Sequence, residues 1–246
     1  MSTLFISDLH LDRSRPEIIN YFVNTILNLE KSISSIYILG DLVEYWVGDD
    51  DPGNGLEIAF DAIQKKSSTT HIYFMHGNRD FLISEKFCKK YGMKLIDDPT
   101  VIELYGKKIL LMHGDTLCTD DIEYQNYRKL VRSKEWQIEM LKKTLKERLA
   151  IAEDLRKKSQ EEIKNKDDDI MDVNNQAVEK IIKQYEVDIL IHGHTHRPNI
   201  HDLEIDNKTI KRFVLGDWYK NAYLLKYENQ KITIDKKNLT TQKDHS

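Results

Sequence analysis

The 246 residues include only two cysteines, Cys88 and Cys118, and neither stands in a C-x-x-C pair. That excludes a disulfide framework and a thiolate zinc site as the basis of the fold. Two isolated thiols suit a reducing cytoplasm, and both read as small core residues. Long apolar runs are missing as well. Nothing approaches the ~18 consecutive apolar residues of a membrane span. The opening MSTLFISDLH lacks the basic and long apolar regions of a leader, and reads instead as a buried strand ending in polar chemistry. There is no positive excess: the net charge of −4 argues against a general nucleic-acid binder. Internal repeats are absent too.

What is present is core-forming material. Hydrophobic residues make up 40% of the chain, enough for one large domain or one domain with a cap, and charged residues make up 32%, as expected of a water-soluble protein. Short apolar runs at Leu4–Ser7, Ile36–Leu39, Ile72–Met75, Ile109–Met112, Ile189–Ile191 and Phe213–Leu215 predict buried central strands. Helices are predicted between them at Pro16–Lys31, Leu56–Lys66 and Ser84–Tyr91. Alternating strands and helices imply an α/β sandwich. Ala222–Tyr227 and Lys231–Ile234 lie close together and suggest an antiparallel edge.

From Thr119 to Gln184 the rhythm breaks: this stretch contains neither proline nor glycine. Ile138, Leu141, Leu145, Leu149, Ala152 and Leu155 recur at three- and four-residue steps, predicting an amphipathic helix. The expected layout is a sheet domain over 1–118 and 185–236, a helical cap over 119–184 interrupted at Asp167–Asp169, and a disordered tail over 237–246. Between Lys129 and Lys166 twelve basic residues face seven acidic ones, a balance of +5 in a chain of net charge −4. That asymmetry needs a physical reason.

The chemistry follows the strands. The predicted strand ends carry Asp8-Leu9-His10, Gly40-Asp41, Gly77-Asn78-Arg79-Asp80, His113-Gly114-Asp115 and His192-Gly193-His194-Thr195-His196. Sites in α/β sheets gather outside the carboxyl ends of strands, so five such ends bring Asp, Asn and His into one cleft. Oxygen and imidazole donors without thiolate suit Mn²⁺, Fe²⁺ or Zn²⁺. Two ions about 3.5–4 Å apart need a bridging carboxylate and further ligands for each. Asp8, His10 and His196 can hold one ion, Asn78, His113 and His194 the other, and Asp41 can bridge. Each motif alone is an ordinary turn or cap; their joint occurrence in order is not. Asp80 or Asp115 can either orient the metal-binding imidazoles or simply cap the strand-end loops. Trp46 and Trp136 read as core rather than as walls of an acyl path, the other role open to them, and Trp218 is expected near the cleft.

The series SDLHL, GDLVE, GNRD, MHGD and GHTH resembles the calcineurin-like metallophosphoesterase superfamily, an α/β fold in which helices flank a β-sandwich. The likeness runs from about Thr3 to Tyr227. GDLVEYWVGDDD, HGNRDFL, LMHGDTLCTDD, IMDVN, LIHGHTHRP and VLGDW resemble, more narrowly, a bacterial branch acting on a UDP-linked diacylated glucosamine in lipid A synthesis. Most of the superfamily has histidine after the GN pair; here Arg79 stands there, as in that branch. Arginine cannot serve as a general acid near neutral pH but grips phosphate through paired donors.

The resemblance implies two Mn²⁺ per chain, water attack on the α-phosphate, and release of UMP and the lipid 1-phosphate. It implies catalytic roles for Asp41, Arg79 and His194. Substrate contacts are implied at Asn78, Arg79, Asp121, Arg156, Ser159, Lys166 and His194, with Ile163 standing where the branch has a polar residue. It also implies a cytoplasmic protein, peripheral on the inner membrane, with no nucleic-acid partner. Two other readings remain: a nuclease or protein phosphatase with the same metals, and a non-catalytic scaffold. Arg79 and the cap weigh against the first, and the complete ligand set weighs against the second.

Overall fold

The computed structural model describes residues 2–53, 55–165 and 170–239, and within 159–165 the backbone alone. Strand β1 (Ser2–Ile6) shows why the apolar runs are continuous: all five of its residues are buried. Successive side chains point to opposite faces of a sheet. Leu4 and Ile6 therefore enter one core, against helices, while Phe5 enters another, between two sheets. Strand β2 (Ile33–Leu39) repeats the division, with Ile36 and Ile38 on the helix side and Tyr37 and Leu39 between the sheets. Burial on both faces removes the polar alternation that a half-exposed strand would show.

The first sheet has the order β11-β10-β1-β2-β3-β4, where β3 is His71–Met75, β4 Met93–Ile96, β10 Asn221–Glu228 and β11 Lys231–Asn238. Strands β1 to β4 are parallel, and β10 and β11 add an antiparallel edge. The second sheet has the order β5-β6-β7-β9-β8, with β5 Thr100–Leu104, β6 Lys107–Leu111, β7 Ile189–His192, β8 Asn199–Ile205 and β9 Lys208–Val214. Helices α1 (Pro16–Leu27) and α2 (Glu57–Ser67) cover the outer face of the first sheet, and the short α3 (Glu85–Lys90) leads into β4. Each of the larger core side chains contributes roughly 1.5–3 kcal/mol by leaving water.

Strands β4, β5 and β8 go beyond the sequence expectation. Two of them belong to hairpins whose turn residues carry the signal. Tyr105-Gly106 joins β5 to β6 and Asp206-Asn207 joins β8 to β9, and all four turn residues have positive φ. Such tight turns match the twist of paired strands. Helix α1 ends at Leu27, short of the expected Lys31, because Asn28 closes it.

The insert differs from expectation in two respects. The predicted single helix is two, α5 (Lys134–Leu141) and α6 (Leu145–Asn165). Thr144 and Glu147 break it: the Thr144 hydroxyl accepts from the Glu147 amide, and Glu147 accepts from the Thr144 amide. This reciprocal pair is a helix-starting box. Ile138 and Leu141 are consequently exposed rather than part of one buried stripe. Helix α7 (Asn175–Tyr185) was expected in the cap, but it buries Val178 and Ile182 against Leu110 and Leu190 of the second sheet. That leaves α4 (Ile122–Val131), α5 and α6 over the strand ends. In the expected tail, Lys237 and Asn238 extend β11 and Leu239 is buried. Residues 240–246 and Asp167–Asp169 lie outside the described residues.

Four arginines fasten the insert to the loops that follow the core strands. Arg128 donates to Asp115 at 2.6 Å and Arg132 to the Gly77 carbonyl at 2.7 Å. Arg148, 2% exposed, donates to the Val47 carbonyl and grips both oxygens of Asp50. Arg156 lies 3.2 Å from Glu44. Three of the twelve basic residues between Lys129 and Lys166, Arg132, Arg148 and Arg156, thus meet acidic or carbonyl groups of the sheet domain. Paired guanidinium contacts of this kind are the strong ones.

Candidate metal centre

Backbone geometry sets the site before any side chain does. Asp8, His10, Asp41, His194 and His196 all have φ between +47° and +69°. Non-glycine residues occupy that left-handed region at a cost of about 1–2 kcal/mol each, and such strain concentrates at functional sites. The strand-end turns bend each chain so that these side chains face one another. Neighbouring glycines are required sterically. A Cβ on Gly193 would stand 2.1 Å from Asp8 Oδ2, and one on Gly77 would stand 2.1 Å from Asp41 Oδ1.

The seven expected ligands converge. Asp8, His10 and His196 offer ligand atoms within 4.8 Å of one another, as do Asp8, Asp41 and His113. His196 Nε2 lies 3.4 Å from Asp8 Oδ1 and 3.1 Å from His10 Nε2. On the other side, Asn78 Oδ1 lies 2.9 Å from both His113 Nε2 and His194 Nδ1. Asp41 stands between the groups, with Oδ2 3.8 Å from His10 Nε2 and Oδ1 3.8 Å from His113 Nε2. One oxygen toward each group is the disposition a bridging carboxylate needs. Two imidazole nitrogens facing each other beside buried carboxylates fit divalent cations, which would replace the proton otherwise shared between them. Where cations bind, Asp8, His10 and His196 suit one and Asn78, His113 and His194 the other.

The electrostatics agree with a place reserved for positive charge. Burial alone would raise Asp8, but the hydrogen bond and charge of His196, with His113 and His10, hold it well below the usual carboxylate range. Burial lowers His113, yet Asp41, Asp115 and Asp8 outweigh it and raise that imidazole to about 9. Asp80 is pushed up to about 7, by burial and then by Asp41. His194 is lowered to about 4, by burial and then by His113. It is therefore neutral at pH 7, the state a ligand requires.

The supporting contacts decide between the two roles open to Asp80 and Asp115, in favour of holding loops. Asp80 accepts from the Gly77 and Leu42 amides and so pins two site loops together. Asp115 accepts from Tyr124 and Arg128 of α4. The imidazoles are held by other groups: His113 Nδ1 lies 2.9 Å from the Leu39 carbonyl, His10 Nδ1 3.2 Å from Glu44, and His196 Nδ1 3.7 Å from Asp217. Sequence reasoning missed Glu44 and Asp217 as partners. Each sits in a family-like motif, GDLVE and VLGDW, which was the available signal. Trp218 is fully buried, and its amide donates to the Asp8 carbonyl.

Beside the cage, under α4–α6, lies a chamber of about 470 Å³. Asn78 lines it together with Arg79, Arg156 and four further charged side chains, beside the apolar Trp46, Phe81, Leu82, Trp136, Met140 and Leu155. Trp46 is also a core residue, as expected, at 4% exposure. Among the described residues Arg79 Nε is buried without a hydrogen-bond partner. Asp121 caps α4 by accepting from the Tyr124 amide, away from the chamber walls. Ser159 and Ile163 lie on α6, where only backbone is described, and Lys166 lies outside the described residues.

Gly193→Ala is expected to displace Asp8, lowering metal uptake and cutting turnover by on the order of 10²-fold, the effect of misplacing a reacting group by about 1 Å. Metal analysis and initial rates would show it; uptake equal to wild type would contradict the steric argument.

Comparison with known proteins places this geometry. Residues 1–198 match the calcineurin-like phosphoesterase family. The chain is 45% identical over 236 residues to a UDP-2,3-diacylglucosamine hydrolase of Marinobacter nauticus, covering 95% of this chain and 97% of that one. It is also 45% identical over 228 residues to a UDP-2,3-diacylglucosamine hydrolase of Aeromonas salmonicida, covering 92% and 89%. Among solved structures it is similar to an archaeal phosphodiesterase, at 14% identity and a TM-score of 0.49 over 96% of this chain and 98% of that one.

Proposed function

The chain belongs to the calcineurin-like phosphoesterase family, and on that premise we propose that it hydrolyses the pyrophosphate bond of UDP-2,3-diacylglucosamine. The products are UMP and 2,3-diacylglucosamine 1-phosphate, and the step belongs to lipid A synthesis. The observation that carries this reading is the juxtaposition of a divalent-metal cage with an apolar chamber, joined at Asn78 and Arg79. Relatives at 45% identity bear the same substrate in their names.

Metal use follows from the family and the donor set; two Mn²⁺ per chain is the finer assignment, and Fe²⁺ or Zn²⁺ suit the same donors. Asp8, His10 and His196 would hold one ion and Asn78, His113 and His194 the other, with Asp41 placed to serve both. When bound, the ions supply a nucleophile from water near neutral pH and neutralise charge on the phosphoryl oxygens. The chain does the rest. Arg79, desolvated but kept cationic by Asp41 and Glu44, turns its unpartnered donor to the phosphate. Asn78 and His194 orient the same group. The apolar side chains of the chamber take the acyl chains, and Arg156 lines the same chamber.

Among the described residues no helix is long and apolar enough to cross a membrane. Ile122, Leu130, Ile138 and Leu141 are exposed on α4 and α5. With Lys129, Lys134 and Lys142 nearby in sequence, they suit peripheral contact with an anionic leaflet, about 1 kcal/mol per basic group. A cytoplasmic protein on the inner membrane fits this surface.

Purified protein with Mn²⁺ is expected to release UMP from UDP-2,3-diacylglucosamine and to act poorly on the unacylated UDP-sugar. Arg79→Ala should lower kcat/KM by roughly 10²–10³-fold, the effect of losing one charge-stabilising donor. Rapid turnover of nucleic acid or phosphoprotein, with none of the lipid, would replace this reading by a general phosphoesterase.

A further inference from the structure

Glu44 is 3% exposed and is the meeting point of four side chains. His10 Nδ1 stands 3.2 Å from its Oε2, and the Tyr219 hydroxyl donates to the same oxygen at 3.0 Å. Arg156 of α6 stands 3.2 Å from Oε1, and Arg15 completes the shell at 3.9 Å. Among the described residues His10 Nδ1 has no other polar partner. The Tyr219 ring stacks on the His10 ring at 5.0 Å and 12°, and the Arg15 guanidinium lies over the Tyr219 ring at 4.5 Å. Arg15 also donates to the His10 carbonyl. The imidazole is thus fixed in plane by Tyr219 and Arg15, and in tautomer by Glu44.

We infer that Glu44 is a positioning residue that aims His10 Nε2 into the metal cage and couples that aim to the seating of cap helix α6 through Arg156. Three features carry the inference. A carboxylate facing the far nitrogen of a ligating histidine sets which nitrogen is free to bind metal. A buried carboxylate needs compensation, and Arg156 supplies a full charge for it from across the domain boundary. Arg156 also lines the chamber, so the group that holds the cap over the acyl path shares one carboxylate with a metal ligand. The inference rests on the metal reading of the cage, although not on the identity of the substrate.

The test uses full-length protein and Mn²⁺ alone. Wild type is expected to bind two ions per chain; failure there would refute the metal reading itself. Given two ions in wild type, Glu44→Gln should weaken one of them by roughly 10–100-fold and leave the other unchanged, the usual effect of losing a group behind a ligand. Arg156→Ala, which touches no ligand, should weaken the same ion several-fold and speed amide exchange along 146–158. Two ions of wild-type affinity in Glu44→Gln would overturn the positioning role. Wild-type Mn²⁺ binding in Arg156→Ala would overturn the coupling. Should Glu44→Gln fold poorly, Tyr219→Phe removes one donor to Glu44 while keeping the ring, and should shift the His10 imidazole nitrogen resonances. Unchanged resonances would count against the proposed shell.

Discussion

Asp41→Asn is expected to lose turnover by at least about 10³-fold, equivalent to roughly 4 kcal/mol of barrier, and to lose the rise in melting temperature that metal gives the wild type. Both effects come from one placement. Asp41 presents one oxygen to each half of the cage, 3.8 Å from His10 on one side and 3.8 Å from His113 on the other. Asparagine keeps the shape, tolerates φ of +53° and can still accept the Arg79 amide, so the fold should survive. What it lacks is the charge that cations bound on either side would share. A ligand at 1,000 times its Kd stabilises a fold by about 4 kcal/mol; the variant should forfeit most of that. The measurements are turnover and thermal melting with and without Mn²⁺. A variant that still gains stability from metal like the wild type would remove Asp41 from the bridging position.

The second large effect concerns pH in the absence of metal. His113 is raised to about 9 by surrounding carboxylates against the lowering effect of burial. Its folded pKa exceeds the unfolded value of about 6.5, so its contribution to stability is complete below 6.5 and disappears as pH climbs through 9. The shift corresponds to about 3 kcal/mol. Asp80, raised to about 7, acts in the same direction at lower pH, because its protonated form is the one the fold prefers. Chelated protein should therefore lose stability between pH 6.5 and 9. Metal-loaded protein should not, since the cation takes the place of the imidazolium. Binding at pH 7.5 should accordingly release protons, detectable by calorimetry in two buffers of different ionisation enthalpy. Equal pH profiles for the two forms would contradict this account.

The cage was legible because the sequence places each ligand directly after an apolar run. A strand buried on both faces is hard to mistake, and the chain must turn as it leaves one. Glu44 and Asp217 were less legible because their role depends on which way a loop folds back after the turn, which neither spacing nor composition encodes. The insert misled for a different reason. Ile138, Leu141, Leu145 and Leu149 keep helical phase straight through the break, so periodicity alone joins two helices. The Thr144-x-x-Glu147 pair was the local signal against it. Strands β5 and β8 carry polar residues that the central strands lack, β4 is only four residues long, and only the Tyr105-Gly106 and Asp206-Asn207 turns mark two of the three. The charge imbalance of the insert was visible, whereas the partners of its arginines, such as Asp50 for Arg148 and Glu44 for Arg156, belong to tertiary structure.

The left-handed turns at Asp8, His10, Asp41, His194 and His196 have a consequence for how the centre is filled. Folding has already met the entropy of ordering these loops, so an arriving cation finds preorganised donors and need not spend affinity on arranging them. An unfolded chain holds the same side chains on a flexible backbone and offers no such pocket. Metal should therefore discriminate sharply between the two states, entering after the sandwich has closed rather than guiding its assembly.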